Sequence, residues 1–505
     1  MDWKTYKSLP SAAKRNDSYY IIGLDIGNDS SGIAFYNVAA GESEAIDLSG
    51  GYGKPSIPTV AQYIADTNEW VFGEYAVLNR GMGTEITLGE LVAQLGNFEH
   101  IDIGRPVSVA YVLALFIKEL LASVKNINPK AEIVGIAAAV PAYFSQQAHE
   151  ELRQAFKHAG YDKELIALVP DRECVLANHY RTAPNEGERV LLLDSGSREL
   201  RGGLYDIKPQ GESIAAESMS SIFDDEVGTA QIGRDVHDMF ASFVPENSPQ
   251  LQEHLSAFTY QNKDMLFQKN INHKPLKLYF NFVYPPFQQS IDRRQAQELI
   301  RPYAAKFKNL TQRVLGKTDP ADIATVLCVG GGFEMLWAKK VVGRIFPASQ
   351  ICFYKNPKMI IAEGAALVAA KALDAPGTLM TSVTIKDTHQ LTADIGLADG
   401  DVFLPLAARN SFWWQSHPAK LVLINRAIDG ELNLHIKERP PKGKGRNLGT
   451  IKLEGLPARP KGTTRLEIGV NFTSNKELTL NITDEGFGDL FPQVEYERII
   501  GVRLG

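Results

Sequence analysis

Cysteine is scarce: the 505 residues contain three, Cys174, Cys328 and Cys352. Three thiols cannot all pair within one chain, and none belongs to a CxxC or other metal spacing. A disulfide scaffold and a thiolate metal site are therefore excluded, and a reducing compartment is expected. Surplus positive charge is also missing. The 53 Lys+Arg fall short of the 59 Asp+Glu, and the formal net charge of −6 argues against a bulk nucleic-acid binder. No apolar run approaches the ~20 residues of a membrane span; the longest is Val107 to Ile117. The first residues, Met1 to Asn16, carry Lys4, Lys7, Lys14 and Arg15 but no apolar stretch, so they do not read as a signal peptide. Also absent are the GxxxxGK[ST] phosphate loop, HExxH and the GxSxG nucleophile elbow. His149, His158 and His179 have no metal-ligand spacing. These gaps predict a soluble cytoplasmic chain with neither nucleic acid nor membrane as partner.

What is present suits a globular protein. With 44% hydrophobic and 22% charged residues a large core is feasible. Before Asp374, apolar runs such as Tyr20–Ile26, Gly32–Asn37, Ile133–Val140 and Val190–Asp194 alternate with helical patterns such as Gln146–His158, which predicts an α/β architecture. After it, short alternating runs follow at Lys420–Asn425, Leu432–Ile436, Leu448–Leu453, Arg465–Phe472 and Leu478–Ile482. These predict an all-β sandwich. The breaker cluster Ala375-Pro376-Gly377 divides the two. The expected layout is an extension at 1–19, an α/β domain at 20–373, a linker at 374–381 and a sandwich at 382–505.

Three turns carry the chemistry. An apolar strand ends in Asp25-Ile26-Gly27-Asn28-Asp29, and a second strand resumes near Gly32. Such a hairpin can offer N–H groups to phosphate and a carboxylate to a hydrated divalent cation, or it can be a plain hairpin. Val190–Leu193 leading to Asp194-Ser195-Gly196-Ser197 repeats the plan. Val326–Val329 then runs into Gly330-Gly331-Gly332 ahead of a helical pattern, Glu334–Val342. The three glycines permit close approach to a ligand, or merely a tight turn.

Further motifs give this order a family resemblance. They include Ala139-Val140-Pro141-Ala142-Tyr143-Phe144, Tyr354-Lys355-Asn356-Pro357 leading to Ala362–Ala366, Pro55–Thr59, Val71-Phe72-Gly73, Leu453–Pro457 and Pro460-Lys461-Gly462. Together they resemble the actin-like ATPase superfamily, most closely the seventy-kilodalton heat-shock chaperones of the DnaK type, from about Tyr20 to about Gly486. The resemblance implies a bilobed actin-like ATPase (ribonuclease H-like) domain followed by a β-sandwich that holds protein or peptide segments. It implies ATP or ADP between the lobes, and a co-chaperone or exchange factor as a further partner. Asp25 and Asp194 would orient the waters of a magnesium ion. Asp171, or Glu173 if the loop is shifted, would join Asp194 in catalysis. Nucleotide contacts would come from Gly27, Asn28, Asp29, Ser195, Gly196, Ser197, Gly228, Gly233, Lys263, Lys269, Gly330, Gly331 and Gly332.

Departures from the pattern predict weak or absent hydrolysis. Asn28 and Asp29 replace two threonines, and Arg198 and Glu199 stand where the family has glycine and threonine. No lysine lies between Lys54 and Lys118 to position γ-phosphate, only Arg80 and Arg105. Asp29 and Glu199 would repel a polyphosphate unless they bind metal or face away, with Arg198 a partial offset. The alternatives are a slow nucleotide-gated chaperone and a pseudo-ATPase scaffold or adaptor for a fixed partner. Candidate peptide-binding loops are Ala407–Trp414 and Leu423–Gly430, and Phe412, Trp413 and Trp414 in the first are either packing or peptide-facing residues. The basic run Arg439 to Arg446 reads as a solvated loop. The chain stops at Gly505, so the family's helical lid is not expected.

Overall fold

Five strands build the first layer, most of them with apolar runs too continuous for a solvent-facing sheet. They are β1 (Tyr19–Ile26), β2 (Ser30–Asn37), β3 (Glu42–Ala45), β4 (Glu132–Val140) and β5 (Leu165–Pro170), in the order β5-β4-β1-β2-β3. β1, β4 and β5 are parallel, and β2 and β3 return antiparallel. The short strand Ser56–Pro58 adds to the end of β2. The helices α1 (Val109–Ile127) and α2 (Gln146–Ala159) cover one face. In α1, the Ser108 hydroxyl caps the first turn by accepting from the Tyr111 N–H at 3.2 Å. Its apolar stripe of Val109, Val112, Leu113, Phe116, Leu120 and Val124 packs onto Ile22 and Leu24 of β1. Thus the apolar run met in the sequence is mostly one helix face in a core. Among the described residues no helix is long and apolar enough to cross a membrane.

The second layer repeats this plan. α3 (Asp171–His179) leads to β6 (Glu188–Ser195), β7 (Leu200–Gln210) and β8 (Ser213–Asp224). After α4 (Thr229–Ala241) and α5 (Arg293–Leu315) come β9 (Thr325–Val329), β10 (Ile351–Phe353), α6 (Ile360–Ala372) and β11 (Ser382–Asp387). The sheet order is β10-β9-β6-β7-β8-β11. Again two strands run parallel to the central one, on one side, and antiparallel returns lie on the other. α3 and α6 lie in a shared core with Ile21 and Ala137 of the first sheet and Val190, Leu192 and Leu327 of the second. The buried Asn178 amide of α3 ties the two helices, donating to the Ile360 carbonyl at 3.2 Å and to Glu363 Oε2 at 3.1 Å.

The structure, a computed structural model, describes residues 19–37, 41–48, 54–79, 85–96, 100–141, 144, 146–182, 184–224, 227–244, 249–267, 274–375, 378, 382–387, 391, 393–399, 402–409, 411, 417–439, 445–474, 477–488, 490–493 and 497–503. Two compact units emerge, Met1–Lys386 and Asp387–Gly505. The strand at 382, expected to open the β-rich domain, instead joins the second sheet of the first unit. Val383 and Ile385 explain this, since both pack against the shared core. The predicted helix at Glu334–Val342 is split into a tight turn, Gly331–Glu334, and a helix, Leu336–Val342.

The second unit consists of two four-stranded antiparallel sheets. The first contains β12 (Asp394–Asp399), β13 (Val402–Ala407), β15 (Glu431–Arg439) and β16 (Arg446–Glu454) in the order β13-β12-β15-β16. The second runs β14 (His417–Ile424), β17 (Thr464–Ser474), β18 (Glu477–Asp484), β19 (Glu497–Arg503). Alternation is strict on two of the predicted runs: Leu432, Leu434 and Ile436 are buried on β15, and Leu478, Leu480 and Ile482 on β18. Arg459 and Asp484, only 2% and 0% exposed, form a bidentate pair with both contacts at 2.7 Å. The Arg459 backbone also exchanges two hydrogen bonds with Ile428, so this pair anchors the loop Leu423–Gly430. Phe412, Trp413, Trp414 and the middle of the basic run lie outside the described residues.

Candidate functional site

The repeated topology brings two carboxylates together. Asp25 ends β1 in register with Ala139 of β4 and Gly32 of β2. Asp194 near the end of β6 pairs with Val329 of β9 and Arg201 of β7. In each sheet the aspartate therefore sits where the parallel strands end, the place where open α/β sheets present groups to a ligand. Asp171 arrives by another route, as the first residue of α3 directly after β5. Asp25, Asp171 and Asp194 line one cleft of about 700 Å³ together with Gly330, Gly331 and Lys358.

Burial and mutual repulsion dominate the electrostatics. Burial, with Asp194 and Asp171 adding their charge, pushes the Asp25 carboxyl up to about 8 against the pull of Arg201. Burial likewise raises Asp194 to about 7, with Arg201 opposing and Asp171 and Glu199 reinforcing. Arg201 is the counter-charge of the group: its Nη1 donates to Asp171 Oδ2 and its Nε to Glu199 Oε1. Asp171 Oδ1 accepts the Arg172 N–H at 2.7 Å, so both of its oxygens are engaged. Glu173, the alternative to Asp171, does not line the cleft, and burial lifts it to about 7.

The other predicted residues fall into three groups. Gly27, Asn28, Asp29, Gly196, Ser197 and Lys263 line the cleft with the aspartates and Gly330–Gly331. Within this group Asn28 Oδ1 is committed to the fold, accepting the Ala93 N–H at 2.7 Å. Ser195 and Gly332 are buried behind the lining, packed against one another. Gly228 is packed beneath the carbonyls of Ser197 and Arg198, and Gly233 lies beside the Lys263 side chain without joining the lining. The first N–H groups of α4 also serve the loop, Thr229 donating to the Gly196 carbonyl and Ala230 to that of Ser197. Lys269 lies outside the described residues. At Gly330 the backbone needs glycine: φ is +87°, and a Cβ would approach Asp194 Oδ1 to 2.5 Å.

Sequence reasoning missed several cleft residues. Lys54 pairs with Glu74 at 3.0 Å, and the Tyr260 hydroxyl donates to the same Glu74 oxygen at 3.3 Å. Lys358 pairs with Glu334 at 3.2 Å. The lysines of the cleft therefore come from Lys54, Lys263 and Lys358, outside the interval in which a lysine was sought. Glu199 does not stand as a bare repulsive charge, and its partner is Arg201 rather than the exposed Arg198. Hairpin symmetry could have revealed this, because a turn centred on Ser197–Arg198 places residue 201 opposite residue 194.

Magnesium finds a poor fit in these donors. Of the four carboxylates Asp25, Asp171, Asp194 and Glu199, two are held by one guanidinium, and no group of three or more His, Cys, Asp or Glu among the described residues is arranged to hold a metal ion.

Comparison with known proteins returns two families without assigned function. A family described as "Family of unknown function (DUF5716) C-terminal" matches residues 42–198, and "Domain of unknown function (DUF8552)" matches residues 398–498. Among curated proteins, the chaperone protein DnaK of Thermosipho africanus is 22% identical over 496 residues, covering 94% of this chain and 79% of that protein. DnaK of Deinococcus radiodurans is 24% identical over 516 residues, covering 92% and 77%. The mitochondrial-type heat shock protein 70 of Encephalitozoon hellem is 25% identical over 401 residues, covering 74% and 62%. The chain is thus distantly similar to heat-shock 70 proteins over most of its length, and its mixed α/β two-unit fold is compatible with theirs.

Proposed function

We propose that the first unit is a bilobed, actin-like domain that binds ATP or ADP in the cleft between its two sheets. The second unit is then a β-sandwich for extended protein segments, and the whole is chaperone-like with weak or absent hydrolysis. The observation that carries this reading is the pair of strand-ending aspartates, Asp25 and Asp194, facing one cleft from equivalent positions of two like-ordered sheets. The Gly330–Gly331 turn offers close backbone approach, and Lys263 and Lys358 offer positive charge for phosphate. Distant similarity to DnaK supports a chaperone-like or nucleotide-binding role.

Peptide binding is supported by β14, a terminal strand of its sheet, which exposes Leu421 and Leu423 by 59% and 53%. A strand with no further neighbour on that side of its sheet among the described residues, and with apolar side chains, suits an added strand. Weak turnover is supported by Arg201, which occupies Asp171 and Glu199 and leaves fewer free carboxylates for organising an attacking water. That occupancy favours the scaffold or adaptor over the nucleotide-gated chaperone.

Thermal unfolding with nucleotide tests the reading. ATP or ADP at ~100 times its Kd stabilises the native state by about 2.7 kcal/mol. Lys358→Met should weaken binding about tenfold, equivalent to about 1.4 kcal/mol. A radiolabelled single-turnover assay should find slow hydrolysis or none, and Asp194→Asn should abolish any that is found. Failure of millimolar ATP and ADP alike to move the transition would sink the proposal.

A further inference from the structure

We infer that Arg201 is a built-in substitute for a divalent cation, so that the acid cluster of the cleft is balanced, and nucleotide is accommodated, without a metal ion. The second half of this statement rests on the nucleotide reading above; the first does not. The guanidinium joins three chain segments, namely its own strand β7, the start of α3 through Asp171 and the turn after β6 through Glu199. The three side chains are 23%, 15% and 14% exposed. Water screens such pairs far less than surface ion pairs, so they persist at ordinary salt.

Position matters as much as pairing. Arg201 is in register with Asp194 across the β6–β7 ladder, so a strand rather than a mobile loop directs it at the cluster. With both Asp171 oxygens engaged and one Glu199 oxygen taken, a cation entering among Asp25, Asp171, Asp194 and Glu199 must either displace the guanidinium or sit beside it. Displacement breaks two charge-assisted hydrogen bonds. Cohabitation places like charges a few ångströms apart in a poorly screened site. Neither outcome favours a metal ion in the native protein.

The test measures magnesium without nucleotide first. The melting temperature of the full chain should be the same in chelator and in millimolar MgCl2. Arg201→Met, which leaves the four carboxylates without their counter-charge, should melt higher when magnesium is added. With ADP, calorimetry on the parent protein should give dissociation constants within about twofold in chelator and in magnesium. For Arg201→Met, chelation should weaken ADP by about tenfold or more. Stabilisation of the parent by magnesium alone, or an ADP affinity that collapses on chelation, would overturn the inference. Should Arg201→Met fail to fold, Arg201→Gln takes its place, and the parent measurements decide in any case. If the magnesium responses are as expected but ADP never binds, the nucleotide reading falls while the charge substitution stands.

Discussion

Removing the Arg459 guanidinium should loosen the β-rich unit far more than any surface charge change. Arg459→Met would leave the Asp484 carboxylate, 0% exposed, with the Gly486 N–H at 3.1 Å as its remaining described donor. The reverse change, Asp484→Leu, would leave a buried guanidinium with the Pro492 carbonyl at 3.1 Å. Breaking one partner of a buried ion pair costs about 3–5 kcal/mol, because the survivor keeps its desolvation penalty. Replacing both by apolar side chains removes that penalty, so Arg459→Met/Asp484→Leu should recover most of the loss. Hydrogen exchange read by mass spectrometry suits this chain, since it reports each segment without assuming all-or-none unfolding of both units. A loss of about 3 kcal/mol accelerates exchange through global opening by about a hundredfold, at 1.4 kcal/mol per decade. That acceleration should appear in peptides covering β17 and β18 and the loop Leu423–Gly430, and not in those covering β1 or β6. Single variants that change exchange by less than about fivefold, or a double variant whose loss equals the sum of the two, would refute the reasoning.

Asp25→Asn should stabilise the ligand-free protein above neutral pH. The parent carboxyl titrates near 8 when folded against 3.8 ordinarily, so the unfolded chain ionises first and stability falls as pH rises between those values. The variant should match the parent near pH 4 and exceed it by about 1–3 kcal/mol at pH 8–9 in denaturant titrations. A constant difference at all pH values would contradict this. Asn178→Leu, which removes the amide between Ile360 and Glu363, should cost about 1–3 kcal/mol in the same titrations. A loss well under 1 kcal/mol would mean that water replaces the amide.

Element types were legible where one physical signal prevailed. Periodicity alone located β1, β4, β6 and α2, because buried faces demand it, and the alternation of β15 and β18 announced a half-buried sheet. β12, β13 and β19 were not anticipated. Asp394–Asp399 and Val402–Ala407 carry Gly396 and Pro405 within short runs, which masks the period. Strand β11 was misassigned because the breaker at Pro376-Gly377 marks where the helix stops, not where the sheet does. For the site, local motifs pointed to the aspartates and Gly330–Gly331, which line the cleft near strand ends. Lys54, Tyr260 and Lys358 were invisible because only tertiary packing brings them to the cleft. Arg201 was hidden for another reason: its neighbours in sequence are an apolar residue and two glycines, and its meaning comes from the residue across the ladder.

The residues facing the two aspartates differ for a reason that lies outside the cleft. Opposite Asp194, position 201 accommodates a long side chain. Opposite Asp25, Gly32 has less room: a Cβ there would come within 2.7 Å of the sulfur of fully buried Met359, so any side chain requires that methionine to shift. Of the two positions that the repeated hairpin makes equivalent, then, one takes a side chain freely and the other only by repacking the core. A methionine in the core thus limits what can stand opposite Asp25, so packing on the sheet behind the cleft reaches the lining of the cleft itself.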